Sequence, residues 1–348
     1  MAKAVLLLSG GLDSTLAGKI LMDMGVEVVA LNFVSPFCQC TPKSLGCSAA
    51  KKAADQLGIS VHVHASGEDY IEVIKNPRFG RGSGMNPCLD CRIYSFVKAH
   101  DFMKEKQADF IATGEVIGQR PMSQRRDAMN TIDRVSGLSG LVVRPLCAGL
   151  LKTSKPELDG IIDRGSMLSI QGRCRQPQME LAEEFGIRDY LCPAGGCLLT
   201  DPEFVPRMKD LFECEPDFGL VDTKLLKFGR HFRMPGGMKA IVGRNEQDNN
   251  AIERFFHDGD VLLIPHDVPG PSVLCRGSSS EEDIRAAAAL AASYTKGGQV
   301  IDIEVHEYST TVTKRMLTEI APSEKEKTAK FLLCAANKIN SQFTHGGF

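Results

Sequence analysis

Short apolar runs alternate with amphipathic segments along the first half of the chain. The apolar runs predict strands at 4–8, 27–34, 60–64 and 109–113. The segments between them predict helices at 14–24, 48–57 and 89–106. Continuous apolar strands separated by helices are typical of a sheet covered on both faces, so we predict a doubly wound, mostly parallel α/β fold. Because ligands bind at the carboxyl ends of such strands, residues 9–15, 31–40 and 113–124 are expected to converge.

The alternation fades after about residue 190. Residues 220–313 carry β-type runs and one alanine-rich helical segment at 281–294, which indicates a smaller α+β domain. The chain is therefore expected to contain a catalytic domain, a linker, a second domain and a helical tail, at 1–200, 201–219, 220–315 and 316–348.

Composition narrows the function classes. The 348 residues include 41 basic and 43 acidic side chains, which excludes a globally basic nucleic-acid coat but allows a local basic patch. No long apolar run predicts a membrane span, and the N-terminus lacks a signal-peptide pattern, so a cytoplasmic location is expected. In a reducing compartment, the twelve cysteines indicate metal or redox chemistry rather than disulfides.

The sequence SGGLDST at 9–15 follows the first strand directly. Gly10 and Gly11 allow close approach of a ligand to the backbone, and the amides at the start of the next helix favour an anion. Hydroxyl donors come from Ser9, Ser14 and Thr15. The loop has neither the lysine of the G-x-x-x-x-G-K-[ST] motif nor the G-x-G-x-x-G spacing. A tight strand–helix turn is the alternative, but the complete motif favours phosphate binding.

This loop resembles the SGG-x-D-S loop (PP-loop) of the N-type ATP pyrophosphatases, which have a HUP-like fold. The resemblance implies that the loop binds the pyrophosphate of ATP and that Asp13 is an essential acid acting through Mg²⁺. The expected nucleotide-binding set is Ser9, Gly10, Gly11, Asp13, Ser14, Thr15, Asn32, Thr113 and Gly114.

A second block, ATGEVIGQRPMSQ at 112–124, is followed by RPL at 144–146. Together they resemble the 4-thiouridine synthetases over roughly residues 1–200, although Arg120, Pro121 and Met122 replace small residues of that family. The resemblance implies a tRNA sulfurtransferase that uses ATP to adenylate a uridine carbonyl, releases pyrophosphate and AMP, and favours 4-thiouridine as product. Neither the N-terminal RNA-binding domain nor the C-terminal rhodanese domain of the bacterial enzyme is recognised in the sequence.

Paired cysteines occur at Cys88 and Cys91 and at Cys192 and Cys197. A C-x-x-C pair can bind one metal ion or form a redox dithiol, so zinc, an iron–sulfur cluster and a dithiol are all open from spacing alone. Resemblance to cluster-dependent thiolases implies a [4Fe–4S] cluster on Cys88, Cys91 and Cys197, with Cys192 as the alternate third ligand. The expected catalytic set is then Asp13 with those three cysteines. A further group at Cys38, Cys40 and Cys47 is compatible with a second metal site, with a mixed site that includes Cys88 and Cys91, or with no role in binding.

Residues 223–244 contain six lysines and arginines and no acid, interleaved with Phe228 and Phe232. Such a strip suits phosphate contact with base stacking. The sequence from Val242 onward resembles the RNA-binding domain of the NFACT proteins over about 220–315, which implies tRNA as the partner. The expected RNA contacts are Arg120, Lys224, Lys227, Arg230, Arg233, Lys239 and Arg244.

Two other functions are compatible with these motifs. One is a PP-loop amide ligase or a sulfur-inserting enzyme for a small molecule, and the other is a non-catalytic RNA-binding quality-control factor. For the thiolation enzyme, the sulfur donor is expected to be sulfide or a persulfide from a cysteine desulfurase. A homodimer is compatible with the sequence but is not required by it.

Overall fold

The computed structural model describes residues 1–39, 48–190, 196–277, 280–297 and 299–334. The chain divides into two compact units, residues 1–198 and 199–348. Within the described ranges, no helix is both long enough and apolar enough to cross a membrane.

The first unit contains a five-stranded parallel sheet with the order β3-β2-β1-β4-β5. The chain order reverses on either side of β1, so its carboxyl end lies at the switch point where ligands bind in such sheets. The predicted parallel α/β fold is confirmed. The strands are β1 (Lys3–Leu7), β2 (Glu27–Val34), β3 (Val61–Ala65), β4 (Phe110–Thr113) and β5 (Val142–Val143).

Helices cover both faces of this sheet. Leu6 packs towards the first two helices with Leu21 and Leu57, whereas Val5 packs on the opposite face with Phe96. This two-sided burial explains why the strands are continuously apolar. The helices are α1 (Leu12–Asp23), α2 (Ser48–Leu57), α3 (Glu68–Lys75), α4 (Cys88–Glu105), α5 (Arg126–Val135), α6 (Lys155–Leu158) and α7 (Gln176–Glu184).

The second unit contains a six-stranded antiparallel sheet with the order β11-β10-β8-β9-β7-β6. Its alanine-rich helix packs on one face, and a smaller apolar cluster around Ile252 covers the other. The predicted α+β class is confirmed. The strands are β6 (Arg230–Arg233), β7 (Lys239–Val242), β8 (Val261–Pro265), β9 (Val273–Arg276), β10 (Ile301–Ser309) and β11 (Thr311–Ile320). The helices are α8 (Val205–Cys214), α9 (Leu220–Leu225), α10 (Glu246–Arg254), α11 (Glu281–Ser293) and α12 (Lys325–Ala329).

Two predicted boundaries are wrong. The expected linker at 201–219 contains α8, whose Met208 and Leu211 are buried, because apolar residues at helical spacing give this segment a face to pack. The expected helical tail begins inside β11, which extends to Ile320. Only Lys325–Ala329 is an α-helix within the described part of the tail, and residues 335–348 lie outside it.

Candidate functional site

The phosphate-type loop joins β1 to α1, as predicted. Gly10 has a φ of +79°, and a Cβ atom there would lie 2.3 Å from the carbonyl carbon of Ala49. The hydroxyls of Ser14 and Thr15 donate to the carbonyl oxygen of Gly11, at 2.9 and 3.1 Å, and so hold the first turn of α1. The glycine is required for both its backbone angle and its contact with the start of α2.

The strand ends converge on this loop as predicted. Asn32, at the end of β2, donates from Nδ2 to the carbonyl oxygen of Leu8 at 2.8 Å. Gly114, which follows β4, is packed so closely that a Cβ atom would lie 2.3 Å from the backbone carbon of Asp13. Neighbouring loops are therefore held directly against the predicted nucleotide-binding residues.

Asp13 is the polar centre of the loop. Its Oδ2 accepts from Gln119 Nε2 at 2.9 Å and lies 3.5 Å from a guanidinium nitrogen of Arg175. Its Oδ1 is buried, and no described group hydrogen-bonds to it. A buried carboxylate oxygen of this kind is available to a metal ion or a water molecule. A cleft beside Gly10, lined in part by Lys52 and Arg188, gives an anion access to the same loop.

A buried ion network lies directly behind the loop. Glu115 accepts from Arg92 Nε at 2.7 Å and from Arg144 Nε at 2.9 Å, and Arg144 also binds Asp133. Burial alone would raise the pKa of Glu115, but the two guanidinium groups lower it to about 2. Arg92 belongs to α4 and follows Cys91, so Glu115 links the nucleotide loops to the helix that carries the C-x-x-C pair.

The C-x-x-C pair opens α4. Asn86 Nδ2 donates to Cys88 Sγ at 3.0 Å, and the Tyr70 hydroxyl lies 3.1 Å from Cys91 Sγ. Burial raises the pKa of Cys91 to about 12, while the Tyr70 contact opposes this rise and the nearby Cys197 and Cys88 add to it. Cys91 therefore holds its proton at neutral pH.

Cys197 and Cys88 both lie close enough to Cys91 to raise the pKa of its thiol, so the three predicted ligands lie in one region. Among the residues that the structure describes, no three His, Cys, Asp or Glu side chains are positioned to hold one metal ion. Cys88, Cys91 and Cys197 thus do not form a preassembled metal site. The alternate ligand Cys192, together with Cys40 and Cys47, lies outside the described residues.

Two members of the predicted RNA-contacting strip share one acidic partner. Lys239 is only 3% exposed and binds Asp210 at 3.2 Å, and Arg233 binds the same carboxylate at 2.7 Å. The acids that bind these two side chains lie in α8 and in the loop after it, just before the strip. The net positive charge of the strip is therefore lower than its six lysines and arginines suggest. Lys239 is removed from the predicted set by its burial.

The remaining positively charged side chains of the strip are more open. Lys224 is exposed, and Arg230 lies over the ring of Tyr294 at 4.6 Å. Lys227 is half-buried, and Arg244 pairs with Asp248 while its side chain stays 41% exposed. Of the two interleaved rings, Phe232 is buried in the sheet core, so it cannot stack on a base. In the first unit, Arg120 is exposed.

Sequence reasoning missed the residues that support the site from a distance. Gln119 and Arg175 bind Asp13, and Tyr70 contacts Cys91, but none of them was singled out for these roles. Gln119 belongs to the TGE-x-x-GQ block, so its motif was an available signal. No local pattern points to Tyr70.

The fold and the site define a parallel α/β protein with a phosphate-type loop, joined in sequence to a separate antiparallel domain. Comparison with protein families gives more detail. Residues 1–155 match the family described as thiamine biosynthesis protein (ThiI), and residues 229–332 match the NFACT protein RNA binding domain. The two resemblances drawn from the motifs are confirmed for these segments.

Curated relatives match only part of the chain. The tRNA-specific 2-thiouridylase MnmA of Sulfurimonas denitrificans is 36% identical over 122 residues, which cover 34% of this chain and 36% of that protein. A probable tRNA sulfurtransferase of Methanosarcina mazei is 31% identical over 123 residues, which cover 34% of this chain and 29% of that protein. The chain thus spans about a third of the length of these relatives.

Among solved structures, the crystal structure of a 4-thiouridine synthetase–RNA complex with bound ATP is similar to this chain. The match has 25% sequence identity and covers 53% of this chain and 41% of that one, with a TM-score of 0.37.

Proposed function

We propose that this protein is an ATP-dependent tRNA thiolation enzyme that makes 4-thiouridine. One observation carries the proposal: a phosphate-type loop with an unsatisfied Asp13 oxygen is linked through Glu115 and Arg92 to α4, the helix that begins with the C-x-x-C pair. The family matches at 1–155 and 229–332 support the same reading.

The first half-reaction activates the base. The carbonyl oxygen of uridine attacks the α-phosphorus of ATP, and pyrophosphate leaves while AMP becomes bonded to the carbonyl oxygen. The amides of the loop and the hydroxyl of Ser9 would bind the departing phosphates. The buried Asp13 Oδ1 suits Mg²⁺, which prefers one or two carboxylates together with substrate phosphates and would neutralise their charge. Gln119 and Arg175 hold the other oxygen and so orient the carboxylate.

The second half-reaction replaces oxygen with sulfur. The terminal sulfur of a persulfide on a cysteine attacks the activated carbon, and AMP leaves with the former carbonyl oxygen. An external thiolate then attacks the cysteine sulfur of the C–S–S bond, so the thiolated base leaves with the terminal sulfur. A second external thiol reduces the mixed disulfide and restores the cysteine. Cys91 is a poor sulfur carrier because its raised pKa keeps it protonated. Cys88 and Cys197 are both half-buried in the same region, and of these two we propose Cys197 as the carrier.

Mass spectrometry of tRNA nucleosides tests the function. Cells that lack the gene should lose one thiolated uridine, and the wild-type gene should restore it. Asp13→Asn should fail to restore it and should lower tRNA-dependent pyrophosphate release by about 10²-fold or more, because one charged oxygen is lost from the phosphate site. Unchanged thionucleosides in the deletion strain would exclude the proposed function.

Iron content tests the cluster separately. If Cys88, Cys91 and Cys197 hold a [4Fe–4S] cluster, the anaerobically purified protein should contain about four irons per chain. Cys88→Ser should lose this iron. An iron-free protein that still thiolates tRNA would exclude the cluster and leave the persulfide reaction intact.

A further inference from the structure

Two cysteines from distant parts of the chain face each other across a short antiparallel pairing. Cys38 and Cys197 form an isolated bridge between residues 37–39 and 196–198. The Leu198 amide donates to the Phe37 carbonyl oxygen at 2.9 Å, and the Gly196 amide donates to Gln39 Oε1 at 3.0 Å. The two backbone segments are thus held together on both sides of the cysteine pair.

The hydrogen-bond pattern determines how close the cysteines lie. The backbone bond joins their neighbours Leu198 and Phe37, so the pair occupies a non-hydrogen-bonded position of the ladder. Facing Cα atoms at such positions are about 4.5 Å apart. Disulfides span Cα separations of about 4.4–6.8 Å, so this pair can be joined with little backbone movement.

The pair is partly exposed, and Ser35 lies beside one of its two sulfurs. Both cysteines carry thiols and are half-buried. The Ser35 amide donates to Cys38 Sγ at 3.4 Å, and the Ser35 hydroxyl lies 3.5 Å from the same sulfur. Both sulfurs are therefore partly accessible to a small disulfide, and the contacts from Ser35 fix the position of Cys38 Sγ.

We infer that Cys38 and Cys197 form a redox-active dithiol that closes reversibly to a disulfide. The oxidant is a small disulfide such as oxidised glutathione. One cysteine thiolate attacks a glutathione sulfur and releases one glutathione thiolate. The second cysteine thiolate then attacks the cysteine sulfur of the mixed disulfide and releases the other. Two cysteine thiols are oxidised, one glutathione disulfide is reduced to two glutathione molecules, and an excess of a reducing dithiol reverses the reaction.

The consequence for activity rests on the proposed function. While joined to Cys38, Cys197 cannot carry a persulfide, so sulfur transfer stops. The phosphate loop and Asp13 do not take part in the bridge, so adenylation continues. Oxidation therefore uncouples pyrophosphate release from thiolation.

The test is disulfide mapping of the full-length protein. Reduced protein is equilibrated with oxidised glutathione, blocked with an alkylating reagent, digested without reduction and analysed by mass spectrometry. A peptide pair linked through Cys38 and Cys197 is expected in the wild type and in the exposed-cysteine control Cys174→Ser. It should disappear in Cys38→Ser and after dithiothreitol. A link from Cys197 to a different cysteine, or Cys197 still alkylated when Cys174 is glutathionylated, would overturn the inference.

Activity assays separate this inference from the proposed function. Oxidised wild type should lose tRNA thiolation at least tenfold and recover it with dithiothreitol, while its first-turnover release of pyrophosphate stays unchanged and Cys38→Ser resists the loss. Full thiolation by protein in which the link is complete would overturn the consequence for activity. Absence of thiolation even in reduced protein would overturn the proposed function, while the mapped disulfide would still stand.

Discussion

At the scale of single residues, Gly10 combines two demands that no other side chain meets. Its φ is +79°, and a Cβ atom would lie 2.3 Å from Ala49. Gly25 has nearly the same φ, +78°, but nothing lies within 4 Å of the position of its Cβ. Substitutions at Gly10 and Gly25 therefore separate the free-energy cost of the backbone angle from the cost of a steric clash.

We expect Gly10→Ala to abolish ATP binding and to destabilise the fold clearly more than Gly25→Ala, which should cost only about 1 kcal/mol from its backbone angle. Thermal unfolding and titration with ATP measure the two effects. Equal destabilisation by the two substitutions, with ATP binding retained, would show that the contact with Ala49 is not required.

Tyr70 gives a second prediction at this scale. Burial is the largest cause of the raised pKa of Cys91, and the hydrogen bond from Tyr70 partly offsets it. Tyr70→Phe should therefore raise the pKa further and slow alkylation of Cys91 by iodoacetamide by about tenfold, as expected for one pKa unit. Alkylation of Cys174 in the same sample is the control. Faster alkylation of Cys91 would show that Tyr70 raises the pKa of this thiol rather than lowering it.

At the scale of secondary-structure elements, Glu115 joins the loop after β4 to α4 and to the segment after β5. Its carboxylate is 2% exposed and is bound by two guanidinium groups. Removing one partner from a buried ion pair leaves uncompensated charge, which costs about 3–5 kcal/mol. Lys3 and Glu27 form an exposed pair on the same sheet, for which about 0–1 kcal/mol is expected.

Glu115→Gln should lower the free energy of unfolding several times more than Glu27→Gln, as measured by urea denaturation. If the two variants lose the same amount, the buried network does not contribute to stability as argued here.

The same network predicts a pH dependence. The pKa of Glu115 is depressed in the folded state, to about 2, so the carboxylate stabilises the fold fully above its unfolded value of about 4.3. This contribution is lost as the pH falls from that value to about 2. Urea unfolding between pH 5 and 2 should show a steeper loss for wild type than for Glu115→Gln. Parallel curves would assign the acid sensitivity to other carboxylates.

At the scale of the whole molecule, the proposed function assigns different tasks to the two units. The second unit is expected to bind RNA through its exposed cations, and burial separates these from the cations that stabilise its fold. Lys224 is exposed, whereas Lys239 lies in the sheet and binds Asp210 and Glu215.

Lys224→Gln should therefore weaken tRNA binding and reduce the slope of log affinity against log salt by about one, without loss of stability. Lys239→Met should instead change the melting temperature and leave the salt slope intact. Filter binding at several salt concentrations and thermal melts measure these effects. The reverse result would show that burial does not decide which cations of the strip contact RNA.

Sequence patterns alone determined the local features of this protein. The apolar runs predicted β1 to β4 within one or two residues, because buried parallel strands leave a continuous hydrophobic signal. The loop at 9–15 was recognisable because phosphate binding requires glycine, hydroxyl and acid at fixed spacing. The β-type runs and the alanine-rich segment at 281–294 also indicated the separate α+β domain.

The tertiary structure decided which distant residues meet. Arg175 lies beside Asp13, and Cys38 lies opposite Cys197, although no local period links either pair. Likewise, Lys239 belongs to a basic strip in sequence but is neutralised by acids from α8 and the loop after it. Periodicity records which way a side chain faces within its own element, whereas its partner depends on how elements pack.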